Sequence, residues 1–190
     1  DSLADPEMVE MNLATMPGLT NEGLTAHLIN TCEDRADAMA IIDLKGGYVP
    51  KTENSPAFSD RVGSSATTLS NLKARGLNSS YGCAYYPWVQ IRDTINGALL
   101  WVPPSVAAIG TFSSSQRKSQ VWFAPAGFNR GGLTVGAAGV PVVNVVEKLT
   151  RQQRDDLYAA SVNPIAKFPA EGIVIFGQKT LQITQSALDR

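Results

Sequence analysis

The residues best placed to do chemistry lie near the end of the chain, in GIVIFGQKT, where Gly172 and Gly177 have the glycine spacing of a phosphate-binding loop and Lys179 and Thr180 follow one position late. Such a loop needs four intervening residues that close a compact turn with their amides pointing inward. Ile173, Val174, Ile175 and Phe176 are instead strong strand formers, so the stretch predicts a strand and no nucleotide site. Gly132, Gly136 and Gly139 in GLTVGAAG lack the closely spaced first pair and the following helix of a dinucleotide fingerprint. The single histidine, His27, falls on a predicted helix without a serine or cysteine partner, the G-x-S-x-G elbow is absent, and Gly63, Ser64 and Ser65 only open a helix.

Cys32 and Cys83 are far apart, with neither a CxxC pair nor a histidine cluster, so zinc is not expected and both read as buried free thiols. The carboxylate pairs Glu33/Asp34 and Asp155/Asp156 are interleaved with arginines on predicted helices; they read as solvated faces whose ion pairs each contribute a few tenths of a kcal/mol. Asn78, Ser79 and Ser80 match a glycosylation acceptor that says little without a secretory signal. The chain thus presents no catalytic set and no cofactor or metal site. One stretch stays ambiguous: WFAPAGFNRGGL (122–133) suits either an active-site loop or a joint. It reads best as a joint, with Pro125 and the glycines bending the chain, Trp122, Phe123 and Phe128 burying the bend, and Arg130 bonding exposed carbonyls or a neighbour's carboxylate.

The elements that must position these residues follow from pattern. Met8–Ala14 alternates as a half-buried strand, Thr20 caps a helix running to about Arg35 with Leu24, Leu28 and Ile29 as its apolar stripe, and residues 38–44 form a buried strand. Residues 46–65 are polar and Gly/Pro/Ser-rich, which predicts an exposed loop. A helix at 65–75 ends at Gly76; YGCAYYPWVQI and GALLWV are core strands joined by a turn at Asn96 and Gly97, with a bend at Pro87. Pro103 and Pro104 open a helix that ends near Arg117 and Lys118, and a strand at VPVVNVV, a helix at 150–160 and a strand at 172–176 complete the chain. Alternating strands and helices predict an α/β fold with a mixed, largely parallel sheet flanked by helices.

Composition sets the remaining bounds. With 190 residues, 44% hydrophobic and 17% charged, and a net charge of −1, the chain is neither disordered nor nucleic-acid-binding in character, and a chain of this length buries roughly 70% of its unfolded surface. No apolar run approaches the roughly 18 residues that a membrane span requires, and the N-terminus lacks signal-peptide regions. Starting at Asp1 without a methionine and stopping at Asp189 and Arg190 without a terminal signature, the chain is expected to be a piece of something longer.

Taken together, WVPPSVAAIGTFSSSQRKSQVWFAPAGFNRGGL and LTRQQRDDLYAASVNPIAKFPAEGIVIFGQKTL resemble the contractile tail sheath proteins of myovirus-type bacteriophages and related injection machines. The order carries the resemblance: Val-Pro-Pro into a helix, Ala-Pro-Ala-Gly before a small loop, and an Asn-Pro-Ile turn before a strand ending in Gly and Lys-Thr. ATMPGLTNEGL and AIIDL (40–44) are similar to the family's first strand, helix and second strand, so the resemblance runs from about Asp5 to Arg190. It implies a subtilisin-like topology without a triad, and residues 1–190 as a sheath core with N-terminal outer domains and a C-terminal part missing. It also implies subunits that polymerise with other copies around a tail tube protein, with baseplate and tail terminator proteins as further partners. They would assemble in the host cytoplasm into the phage tail of the virion, without nucleic-acid contact or membrane insertion, and contract to drive the tube through the host envelope. Arg130, Arg151, Arg154, Asp155 and Asp156 are the candidate subunit-interface residues. The alternatives are an α/β hydrolase-like or nucleotide-binding enzyme, which needs a pocket of convergent polar groups, and a monomeric binding module of a virion surface, which never polymerises.

Overall fold

In the computed structural model, which describes residues 2–53 and 55–186, the alternating stretch from Met8 does not start a strand. The Asp5 side chain accepts from the Glu7 amide at 2.9 Å and its carbonyl accepts from the amides of Met8 and Val9, so the turn chemistry of Asp5 and Pro6 overrides the period-two pattern. Strand β1 is accordingly short, Leu13–Thr15. The terminal positions Asp1, Asp189 and Arg190 lie outside the described residues.

Helix α1 (Glu22–Arg35) begins one residue later than the sequence suggested: Asn21, not Thr20, accepts from the Leu24 amide at 3.0 Å. The face it buries carries Thr25, Ile29, Cys32 and Arg35, while Leu24 is 49% exposed; the apolar stripe is rotated toward the i, i+4, i+7 line through Thr25. Arg35 holds Asp37 in a bidentate pair at 2.7 and 2.8 Å and also donates to the carbonyls of Leu3, Asp5 and Val9, pinning the N-terminal segment. Strand β2 (Met39–Ile42) follows.

Between 46 and 65 the middle is exposed and carries the one-turn helix α2 (Phe58–Arg61), whereas the ends are pinned. Tyr48 is buried and its ring lies 5.0 Å from that of Trp88, with the buried Arg61 donating to the Tyr48 hydroxyl. Helix α3 (Ser65–Arg75) starts and stops on local signals: Ser64 accepts from the Thr67 amide, and Gly76 closes the helix at φ 58°, a conformation glycine adopts without strain. YGCAYYPWVQI is two strands rather than one, β3 (Gly82–Tyr86) and β4 (Val89–Arg92), which part at Pro87 and join different sheets. Then come β5 (Leu99–Val102), α4 (Pro104–Lys118) with Pro104 in its first turn, the short α5 (Gly127–Arg130), β6 (Val142–Val145), and α6 (Arg151–Ala159), which is closed by a reciprocal Thr150/Gln153 capping box. The chain ends in β7 (Asn163–Phe168) and β8 (Gly172–Ile175).

The main sheet runs β1-β2-β3-β7-β8, parallel except for the antiparallel β7–β8 hairpin, and a second, antiparallel sheet runs β5-β4-β6. Strand β7 contradicts the expected Asn-Pro-Ile turn. Pro164 is tolerated because β3 pairs with β7 over only Tyr85↔Asn163 and Tyr86↔Pro164, and the Pro164 carbonyl still accepts from Phe176. Successive residues of β2 and β3 bury opposite faces, as strands covered on both sides must. Ala40, Ile42, Ala84 and Tyr86 pack with α1, α3 and α6 on one side. Ile41, Cys83 and Tyr85 pack with α4 and the second sheet on the other. Helix α4 lies close against the loop before β6: a Cβ on Gly110 would sit 2.1 Å from the Ala138 carbonyl oxygen.

Candidate functional site

Two polar centres, one buried and one half-buried, have the residue types of an active site, and both tie elements of the fold together. Asp43, 1% exposed just beyond β2, accepts from the Gly18 amide at 2.8 Å, the Ser105 amide at 3.2 Å and the Ser105 hydroxyl at 2.7 Å. It thereby caps α4, whose expected N-terminal prolines bring no side-chain acceptor. Burial pushes its carboxyl above the ordinary 3.8, an effect opposed by the Gly18 amide and Ser105. Glu147 accepts from the Ser65 amide at 2.9 Å, the Gln153 side chain at 2.7 Å and the Tyr86 hydroxyl, tying the starts of α3 and α6 to β3. Burial, and then that hydrogen bond, raise the Tyr86 phenol above its usual range.

His27 is exposed on α1, and Cys32 and Cys83 are buried free thiols. Residues 172–175 are strand β8, and the glycine at 177 packs on Asn163 and Pro164 in place of a phosphate cradle. Among the described residues no group of three or more His, Cys, Asp or Glu stands together, and no helix is long and apolar enough to cross a membrane.

The surface is more distinctive. Trp122 is 78% exposed, and Phe123 and Phe128 are 38% and 48% exposed, so the aromatics of WFAPAGFNRGGL do not bury the bend as expected. Trp122 and Phe123 stack on each other, 4.2 Å between ring centres, while Phe128 leaves them to join Phe168 and Phe176. Arg130 does bond a carbonyl, donating from Nε to Ala124 at 3.0 Å, and lies 4.7 Å from the Phe123 ring. The second surprise is the β4–β5 hairpin. Its turn is braced by Asp93 and Asn96 side chains, yet Ile95 is 94% exposed and Leu99 and Leu100 about half exposed, against the core role expected of GALLWV. Strand β5 is an edge of the small sheet, paired only with β4 among the described residues.

The five candidate interface residues fall into three places. Arg151, Arg154 and Asp155 line one open cleft of about 480 Å³ between α6, the start of α5 and the β7–β8 end of the sheet. Arg154 lies 4.9 Å from the Phe168 ring, and Arg151 and Asp155 approach only to 4.0 Å with both side chains exposed. Asp156 faces the other side of α6, toward α3, and accepts from Gln152 at 2.9 Å; Arg130 is at the far end of α5. What sequence reasoning missed is the Phe128–Phe168–Phe176 cluster beside that cleft, with ring centres 5.3 to 5.6 Å apart, whose members come from distant stretches and share no spacing.

Among the described residues, a mixed sheet with helices packed on it carries several exposed aromatic surfaces and no gathered group of three or more His, Cys, Asp or Glu. The comparisons give it a class. No family model matches the chain. It is 36% identical over 98 residues to the tail sheath protein of Vibrio phage KVP40, covering 52% of this chain and 14% of that protein. It is 26% identical over 164 residues to the tail sheath protein of Salmonella phage ViI, covering 84% of this chain and 25% of that one. Its fold matches the sheath complex of an extracellular contractile injection system, PVC, in the contracted state, with a TM-score of 0.64 at 17% identity over 95% of this chain and 42% of that chain. The resemblance read from the sequence therefore holds: the chain is similar in sequence to tail sheath proteins and has the fold of a contractile sheath subunit. It spans only a small part of the length of the curated relatives it matches.

Proposed function

We propose that this chain is the core of a structural subunit of a contractile phage tail sheath, which polymerises with other copies around a tail tube and shortens to drive the tube through the host envelope. The observation that carries the reading is the pairing of sequence similarity to tail sheath proteins with a sheath-subunit fold. A subunit of this kind serves as a rigid body whose outer contacts are exchanged between two assembled states. The two-sided core of the main sheet supports the first requirement, and the uncovered aromatic and apolar surfaces at Trp122, the β4–β5 hairpin and the phenylalanine cluster support the second.

On this reading the chain has no catalytic role. Its partners are other sheath subunits, the tube, and baseplate and terminator proteins at the two ends; its place is the tail of the virion after assembly in the host cytoplasm. Residues 1–190 are one core within a longer subunit that has outer and C-terminal parts, and Arg130, Arg151, Arg154, Asp155 and Asp156 belong to contacts between copies. Electron microscopy of the full-length protein tests this: tubular polymers are expected, and a protein that stays monodisperse and monomeric at high concentration overturns it.

A further inference from the structure

Among its lining residues the cleft beside α6 carries more positive than negative charge. Arg151 and Arg154 line it, and Asp155 is the one carboxylate among its lining residues. Arg154 has a ring and no carboxylate within ion-pair distance among the described residues. The Phe128, Phe168 and Phe176 rings adjoin the cleft, with Phe128 48% and Phe176 43% exposed. A ligand for such a surface is acidic and carries apolar side chains between its acids.

The chain displays a segment of that kind. Residues 2–10, SLADPEMVE, hold Asp5, Glu7 and Glu10 and no base, with Leu3 54% and Met8 69% exposed. Arg35 holds the segment in shape through the carbonyls of Leu3, Asp5 and Val9, so the backbone is fixed and the side chains face out. Met8 suits a phenylalanine cluster, because its sulfur packs favourably at ring edges. The acidic segment leads into β1, at one edge of the main sheet, whereas the cleft lies at β8, the opposite edge. A segment cannot reach across its own sheet, but a second copy can present it.

We infer that the acidic segment 2–10 of one copy docks in the Arg151/Arg154 cleft of the next, a head-to-tail contact that repeats without closing on itself. This rests on the proposal that the protein assembles with its own copies, and it names the two surfaces that meet. A head-to-tail contact between opposite edges generates an open filament or a ring rather than a two-fold dimer.

Thiol cross-linking between two variants tests it, and the buried Cys32 and Cys83 leave the background low. Ala4→Cys and Gln178→Cys place one thiol on the segment and one on the rim of the cleft without altering a charge. A short bis-maleimide is expected to give a covalent heterodimer from the mixture, and none from Ala4→Cys mixed with His27→Cys. Adding Arg151→Glu and Arg154→Glu to the Gln178→Cys chain is expected to cut the yield about tenfold, as two opposed charge pairs together imply. Glu7→Lys with Glu10→Lys in the Ala4→Cys chain is expected to restore it. Absence of the 4–178 product from a protein that forms tubes overturns this contact and leaves the sheath reading standing; absence from a protein that forms none overturns both. Cross-links only between like positions identify a two-fold contact and also overturn it.

Discussion

Replacing Asp43 tests whether the end of β2 holds α4 in place. In wild type the buried carboxylate satisfies two backbone donors, Gly18 and Ser105, and one hydroxyl. Asp43→Ala leaves both amides without an acceptor, and a buried donor without a partner costs roughly 1–3 kcal/mol. The burial that raises the Asp43 carboxyl shows that the native state already carries a desolvation cost, which the alanine relieves. The net loss is therefore about 2–4 kcal/mol, a fall in Tm of roughly 5–15 °C for a chain of this size. Asp43→Asn is not innocent despite its shape: whichever way the amide is turned, its NH₂ faces either the Gly18 or the Ser105 N–H, and the expected loss is about 1–3 kcal/mol. Ser105→Ala keeps both backbone bonds and is expected to cost about 1 kcal/mol. Urea unfolding monitored by tryptophan fluorescence gives all three values. An Asp43→Ala chain within about 0.5 kcal/mol of wild type, the range of an unremarkable surface substitution, refutes the capping argument.

Gly110→Ala should lower stability by roughly 1–3 kcal/mol although alanine is the better helix former, because its Cβ meets the Ala138 carbonyl; denaturant midpoints check it, and a stabilised variant argues against the close approach. Trp122→Ala should change stability by under about 0.5 kcal/mol, since the ring is 78% exposed, whereas loss of a buried tryptophan costs roughly 3–5 kcal/mol; calorimetry separates the two. The Arg35 guanidinium holds the Asp37 carboxyl below its ordinary 3.8. A depressed folded value means that this contribution is present above pH 3.8 and is lost as pH falls through the folded value. Asp37→Asn should therefore lower Tm at neutral pH and converge with wild type in acid, and a pH-independent gap counts against the pairing.

Where local chemistry decides, the sequence was readable. Ser64 and Gly76 bracket α3, Pro103 and Pro104 open α4, and the apolar runs at 38–44 and 172–176 are strands buried on both faces. It misled where a distant partner decides. Nothing near Asn163 and Pro164 announces a strand, because β7 exists through β3 and β8 rather than through its own propensity. Leu99 and Leu100 look like core and lie open because β5 is an edge. The surface candidates were legible as charged residue types on a helix; their division between the two sides of α6, and the phenylalanine cluster beside them, depend on tertiary packing that no spacing encodes.

Asn163 makes the end of the described chain a mechanical fixture. Its side chain accepts from the Lys179 amide at 2.7 Å and donates to the Lys179 carbonyl at 2.8 Å and the Ala84 carbonyl at 3.2 Å, while the Leu181 amide donates to Gly82 at 2.8 Å. One amide side chain thus clasps the outgoing chain as a strand neighbour would, with both ends of its grip on the central strands. Tension applied beyond residue 181 has to shear these bonds together rather than peel them singly, and it enters the sheet at β3 and β7, the strands most deeply enclosed. On the proposed sheath function, that is where a pull on the chain reaches the rigid body without first unravelling its edge.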